Sequence, residues 1–135
     1  MLAATQLRAA DDGNAKCAKA TLALMETAGT AIIAYITDFD ASPDAKTVAE
    51  LRSKLQPTYI RDLQAEDGWG TPLRYMKTGT KSFLVISAGA DRKFDESSWR
   101  KPAQTKDLAA DAVFESTDED QAGQFTRVWV ETSRR

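Results

Sequence analysis

Between residues 15 and 38 the chain carries an apolar stripe at helical spacing. Ala18, Leu22, Met25, Ala28 or Gly29, Ile32, Ile33 and Ile36 recur every three or four positions, while Lys16, Lys19 and Glu26 fall largely outside the stripe. That period predicts a long amphipathic helix, and a helix with one apolar face needs a second layer to cover it. The helix is expected to stop near "DFDASPD", where Pro43 and the small and acidic residues before it favour a loop. Residues 1–14 form an Ala-rich, helix-permissive N-terminal segment. Within it Asp11, Asp12, Gly13 and Asn14 either begin a new helix or interrupt a longer one.

The covering layer comes from the C-terminal two-thirds of the chain. "KTVAELRSKL" predicts a short helix over 47–55. Thr47 and Glu50 stand at capping-box spacing, Val48, Leu51 and Leu55 share a face, and Pro57 ends the helix. Beyond it the period changes. "LRYMK" (73–77) and "SFLVISA" (82–88) are short, aromatic and β-branched, and read as a hairpin. A long polar loop over 89–110 leads to two more strands, "DAVFES" and "QFTRVWVE", so the sheet is expected to span 73–131. Long helix, short helix and small antiparallel sheet, in that order, make one α+β domain over 15–135.

Several function classes are disfavoured by what the chain lacks. Its 135 residues contain no histidine, the commonest general base and transition-metal ligand. Cys17 is the sole cysteine, which rules out an intrachain disulfide and reads as a small buried apolar residue. A net charge of −2 offers no basic field for nucleic acid. No uninterrupted apolar run approaches the roughly 18 residues of a membrane span, and Met1–Ala10 lack a signal-peptide layout. The 135-residue chain is expected to be soluble. No phosphate-binding Gly loop, nucleophile elbow or lysine–acid constellation is visible, and the acids of "STDEDQAG" read as a solvated turn. The chain is not expected to be an enzyme.

The most specific local signal is "EDGWGTPLRYM" (66–76). Gly68 and Gly70 permit backbone angles closed to other residues, and Pro72 fixes its own. Trp69 between them has about 150–250 Å² to bury. The expected result is a turn pinned to the core by its indole.

In wider context, Leu55, Pro57, Tyr59 and Ile60 lead into Asp67, Gly68, Trp69, Gly70, Pro72 and Tyr75. A strand ending in Ser87, Gly89 and Asp91 follows, then Asp111, Ala112 and Val113, then Gly123 and Phe125. Over about residues 15–131 this arrangement resembles the soluble domain of the type II secretion system major pseudopilin (protein G) family, within the type IV pilin-like superfamily. The resemblance implies a pilin-like fold and a structural subunit. Such a subunit self-assembles with other pseudopilins into a short periplasmic filament that works with the secretion machinery to export proteins across the outer membrane. It also implies a leader and a hydrophobic helix ahead of residue 1, anchoring the protein on the periplasmic side of the bacterial inner membrane. That helix would be the protein's one membrane contact. Helix 15–38 would be the lower part of the filament spine, and Trp69 would lock helix to sheet.

The resemblance further implies calcium in the loop after the Ser-x-Gly-x-Asp strand. Its ligands would come from Asp91, Asp95, Asp107 and Asp111, with Ser97, Ser98 and the Ala88 carbonyl as further oxygens, a sensible set for a hard cation. An ion there would order a loop of nearly twenty residues that otherwise lacks an evident reason to be ordered. The chain departs from the family where Gly commonly follows Asp91. It has Arg92 and Lys93 there, and "SWRKPAQTK" lengthens the loop. A metal-free loop in which these cations pair with the carboxylates therefore stands beside the calcium reading. Trp99 is expected as a packing anchor over the sheet, with a partner-facing aromatic as the alternative. A different function class stands beside the filament subunit: a soluble pilin-like binding module that recognises a partner through loop 89–110 and Trp99.

Overall fold

The computed structural model describes the backbone of residues 2–130 and the side chains of residues 13–130. Its first element, α1 (Leu2–Phe39), is 38 residues long, or about 57 Å at 1.5 Å per residue. Asp11–Asn14 neither start it nor break it: the helix runs through them. The expected stripe is the buried one: Ala18, Met25, Ala28, Ile32 and Ile36 are joined by Ala31, and Leu22 and Ile33 pack at its margin. The helix closes on a left-handed residue, Asp40 (φ 58°), whose N–H bonds back to the Ile36 carbonyl at 2.7 Å. Helices commonly end on this conformation.

Gly13–Phe39 is apolar and long enough to cross a membrane by length and composition, with a window of mean hydropathy 1.3. This differs from the expectation drawn from unbroken apolar runs. Thr and Glu interrupt the run without bringing the mean down, since Ala and Ile dominate between them. In the fold, the stripe's apolar area is used against the sheet.

Helix α2 (Val48–Leu55) begins where the capping pattern places it. The Glu50 N–H donates to Thr47 Oγ1 at 3.1 Å, while the Glu50 carboxylate reaches one residue further back than the simple box, accepting from Lys46 N–H at 2.8 Å. Val48, Leu51 and Leu55 are all buried.

The sheet comprises β1 (Arg74–Lys77), β2 (Phe83–Ser87), β3 (Ala103–Thr105), β4 (Ala112–Ser116) and β5 (Gln124–Trp129), in spatial order β1-β2-β4-β5-β3. The pairs β1–β2, β2–β4 and β4–β5 are antiparallel. The expected all-antiparallel sheet needs one correction. β3, together with a 3-10 turn at Glu96–Ser98, lies within the segment read as loop, and β3 pairs parallel to β5 at the edge. Three residues carry no alternation to read, and their partners lie 24 positions further on, Ala103 opposite Arg127. The last strand ends at Trp129, and Val130 is already outside it, short of the expected 131, which lies outside the described residues.

One face of the sheet receives α1 and α2, with Phe83, Val85 and Phe114 meeting Met25, Ile32, Leu51 and Leu55. Phe114 lies on Gly29 so closely that a side chain there would collide with its ring. The opposite face is small but closed: Leu84, Ile86 and Val113 lie beneath Trp99 and Phe94 of the 89–110 segment. β2 is thus buried on both faces, which explains its five consecutive buried residues where a half-exposed strand would alternate.

Candidate functional site: the Trp turn and the 89–111 loop

Two structures grow from the motif residues. In the first, Gly68 sits on α1 so tightly that a Cβ would lie 2.5 Å from the Cys17 carbonyl oxygen. Its N–H donates to Thr21 Oγ1 at 2.8 Å, and that hydroxyl donates to the Cys17 carbonyl at 2.7 Å. Gly70 answers a different need, a φ of 84° with open space around it. Between them Trp69 is half-buried. Its indole N–H donates to Asn14 Oδ1 at 2.9 Å, and its ring meets Trp129 edge-on at 5.4 Å. The turn therefore fastens α1 to the end of β5.

Asp67 organises this turn from within. Its Oδ1 accepts from the N–H groups of Trp69 (2.9 Å) and Thr71 (3.0 Å), and its Oδ2 accepts from the Ser87 hydroxyl at 2.8 Å. Ser87 Oγ in turn accepts from Gly89 N–H at 3.2 Å. The Asp-Gly-Trp-Gly and Ser-x-Gly-x-Asp segments thus share one buried hydrogen-bond chain. Gly89 (φ 83°) is crowded by the carbonyls of Leu108 and Ala110, the far end of the loop.

In the second structure, the loop, the residues expected to ligate calcium are held separately. Asp91, Asp95 and Asp107 are exposed, and each carboxylate is used by its own turn. Asp91 Oδ1 accepts from Lys93 N–H (2.9 Å), Asp95 Oδ1 from the Ser97 hydroxyl (2.6 Å) and Asp107 Oδ1 from Ala109 N–H (3.0 Å). Ala88 is fully buried at the end of β2. The Ser98 hydroxyl donates to the Asp95 carbonyl at 2.8 Å. Asp111 alone is buried, 2 % exposed, with Oδ2 accepting from Asp95 N–H (2.8 Å) and the Trp99 indole (2.7 Å). Its Oδ1 is buried with no partner. Burial raises the Asp111 pKa, and the nearby charges of Asp91 and Asp95 push it the same way, against the two hydrogen bonds that lower it. Among the described residues no group of three or more His, Cys, Asp or Glu side chains is placed to hold a metal ion. The expected calcium donors do not converge into a cage, and Asp111 Oδ1 is the loop's one buried side-chain oxygen without a partner among the described residues.

Of two further expectations about the loop, the ion pairs change and the Trp99 anchor holds. Arg92 and Lys93 form no ion pair with its carboxylates among the described residues. Trp99 is 4 % exposed and packed on the sheet, so it is the expected anchor and not the partner-facing alternative. Nor does the loop lack reasons to be ordered. Arg127 donates to the Asp111 carbonyl (3.1 Å) and the Lys101 carbonyl (2.7 Å), and the Trp129 indole donates to the Ala110 carbonyl (2.8 Å). Arg74 stacks over Phe94 at 4.1 Å while pairing with Glu96. Sequence reasoning missed Arg127, Trp129, Phe94 and Arg74 in these roles. The one signal pointing to them was the unbroken apolar run of β2, which required a cover on its second face.

A groove of about 700 Å³ runs beside the β1 edge between Asp44–Glu50 and Glu96–Trp99. The acids along it are engaged: Asp44 pairs with Lys77, Glu96 with Arg74, and Glu50 accepts from Lys46 N–H. No protein-family model matches the chain, and no curated protein or solved structure shows significant similarity to it.

Proposed function

We propose that this chain is the soluble domain of a pseudopilin-like filament subunit on the periplasmic side of the bacterial inner membrane, serving protein export across the outer membrane. Its role is mechanical: copies stack head to tail with one another and with related subunits, in the heterologous, non-closing contacts that build helical assemblies. The observation that carries the reading is the way the motif residues meet. Gly68 is seated on α1, and Asp67 binds Ser87 at 2.8 Å, so helix, Trp turn and hairpin form one rigid unit. A spine helix must be coupled to its head in this manner if the filament is to transmit force.

The outward side of α1 is compatible with stacking. Ala20, Ala23, Thr27, Thr30, Ala34 and Thr37 recur at spacings of three and four and are all exposed. Side chains this small let a neighbouring helix approach closely. The deciding experiment is the N-terminal sequence and mass of the protein isolated from its own cells. The expected result is a processed, methylated residue followed by an apolar segment of about 20 residues ahead of the present chain. A native protein beginning at Met1 would remove the polymerising helix and overturn the filament reading.

A further inference from the structure

We infer that the 89–111 loop is ordered by an indole–carboxylate latch and needs no divalent cation. The inference stands on the loop's own geometry and does not rest on the filament reading. A calcium ion asks for six to eight oxygens from one neighbourhood. Here nitrogen donors of the protein already hold the oxygens that close the loop. Trp99 and the Asp95 N–H take Asp111 Oδ2, Arg127 takes the Asp111 and Lys101 carbonyls, Trp129 takes the Ala110 carbonyl, and Ala90 N–H takes the Leu108 carbonyl at 2.7 Å.

The latch residue is also a wedge. Trp99 covers Leu84, Ile86 and Val113, with Phe94 edge-on to it at 6.1 Å. Burial of the ring and the bond to Asp111 therefore hold the loop by the same side chain. Asp111 Oδ1 remains unpartnered, but one oxygen is no cation site. The Asp91 and Asp95 carboxylates are exposed, each gives one oxygen to its own turn, and among the described residues they form no metal-holding group with Asp111. Arg92 and Lys93, exposed beside those acids, add positive charge where a cation would enter.

The test is thermal unfolding of the whole chain in millimolar calcium and in chelator, for wild type, Trp99→Phe and Asp111→Asn. Wild type is expected to melt at the same temperature in both media. Trp99→Phe keeps an aromatic wedge and loses the donor to a buried carboxylate, so its midpoint should fall by roughly 5–10 °C in both. Asp111→Asn retains one oxygen for the two donors and should stay close to wild type in both. A resident ion at a hundred times its Kd would raise the wild-type midpoint by roughly 10 °C. Such a rise, lost in Asp111→Asn, would overturn the inference, and so would a Trp99→Phe midpoint equal to wild type. Should Trp99→Phe fail to fold, the wild-type and Asp111→Asn melts decide the matter alone.

Discussion

The Ser87 hydroxyl donates to Asp67 Oδ2 at 2.8 Å, across a separation of 20 residues, and both side chains are buried. This bond joins the Trp turn to the end of β2. Because Asp67 also accepts two backbone N–H groups, Asp67→Ala strands donors in the turn as well as the Ser87 hydroxyl. It should cost about 3 kcal/mol, against about 1 kcal/mol for Ser87→Ala. Urea unfolding of both variants and the double variant checks this. The cycle should return a coupling of roughly 1 kcal/mol, and strict additivity would mean the two residues act separately.

The two glycines around Trp69 should respond differently to alanine. At Gly70 the cost is conformational, because φ is 84° while the space is open, and Gly70→Ala should lose about 1–2 kcal/mol. At Gly68 the obstacle is the backbone of α1, at 2.5 Å from the Cys17 oxygen and 2.9 Å from its Cα. A backbone cannot rotate aside as a side chain can, so Gly68→Ala should lose more, about 2–3 kcal/mol. Denaturant midpoints at matched slopes would rank them, and a larger loss at Gly70 would contradict the close seating of the turn on α1.

The ease of reading this chain follows the range of its interactions. α1, α2 and the hairpin were legible because their patterns are local and periodic. Most of the buried face of α1 could be named from Ala18 to Ile36, with Ala31 and the fully buried Thr21 missed. The edge strand β3 was not, since Ala103–Thr105 owe their conformation to β5 and carry no alternation of their own. The loop was half legible. Asp111 stood out as an acid at the start of a strand, but its partner Trp99 lies twelve positions away in a polar stretch. Nothing in that stretch distinguishes a tucked indole from an exposed one. Convergence of Asp91, Asp95 and Asp107 was implied by the family resemblance alone, whereas each bonds within its own turn.

Arg92 occupies a left-handed conformation, φ 61°, in which its N–H bonds to the Gly89 carbonyl at 3.1 Å. Its side chain makes no ion pair among the described residues. Replacing it by glycine removes the steric penalty of a Cβ at positive φ, about 1 kcal/mol, less a few tenths for the freer unfolded chain. Arg92→Gly should therefore raise the melting temperature by a few degrees, an unusual sign for a change to glycine. A fall in the midpoint would show that the guanidinium makes a stabilising contact.

Tyr59 supplies a pH signature on the far side of the molecule. Its hydroxyl donates to Asp38 Oδ2 at 2.6 Å, and that hydrogen bond, ahead of burial and the carboxylate's charge, pushes the phenol pKa up to about 12 from an ordinary 10.0. A raised folded-state pKa means that the folded chain holds this proton more tightly than the unfolded one. The contribution to stability is therefore complete below pH 10 and disappears as the pH climbs through about 12. Ultraviolet titration should show a tyrosine ionising near 12 that is lost in Tyr59→Phe, while Tyr75, which burial also pushes up, still ionises above it. In Asp38→Asn the neutral amide no longer opposes the phenolate, so the Tyr59 transition should move down toward 10. If it stays near 12 in that variant, burial and not Asp38 holds the proton.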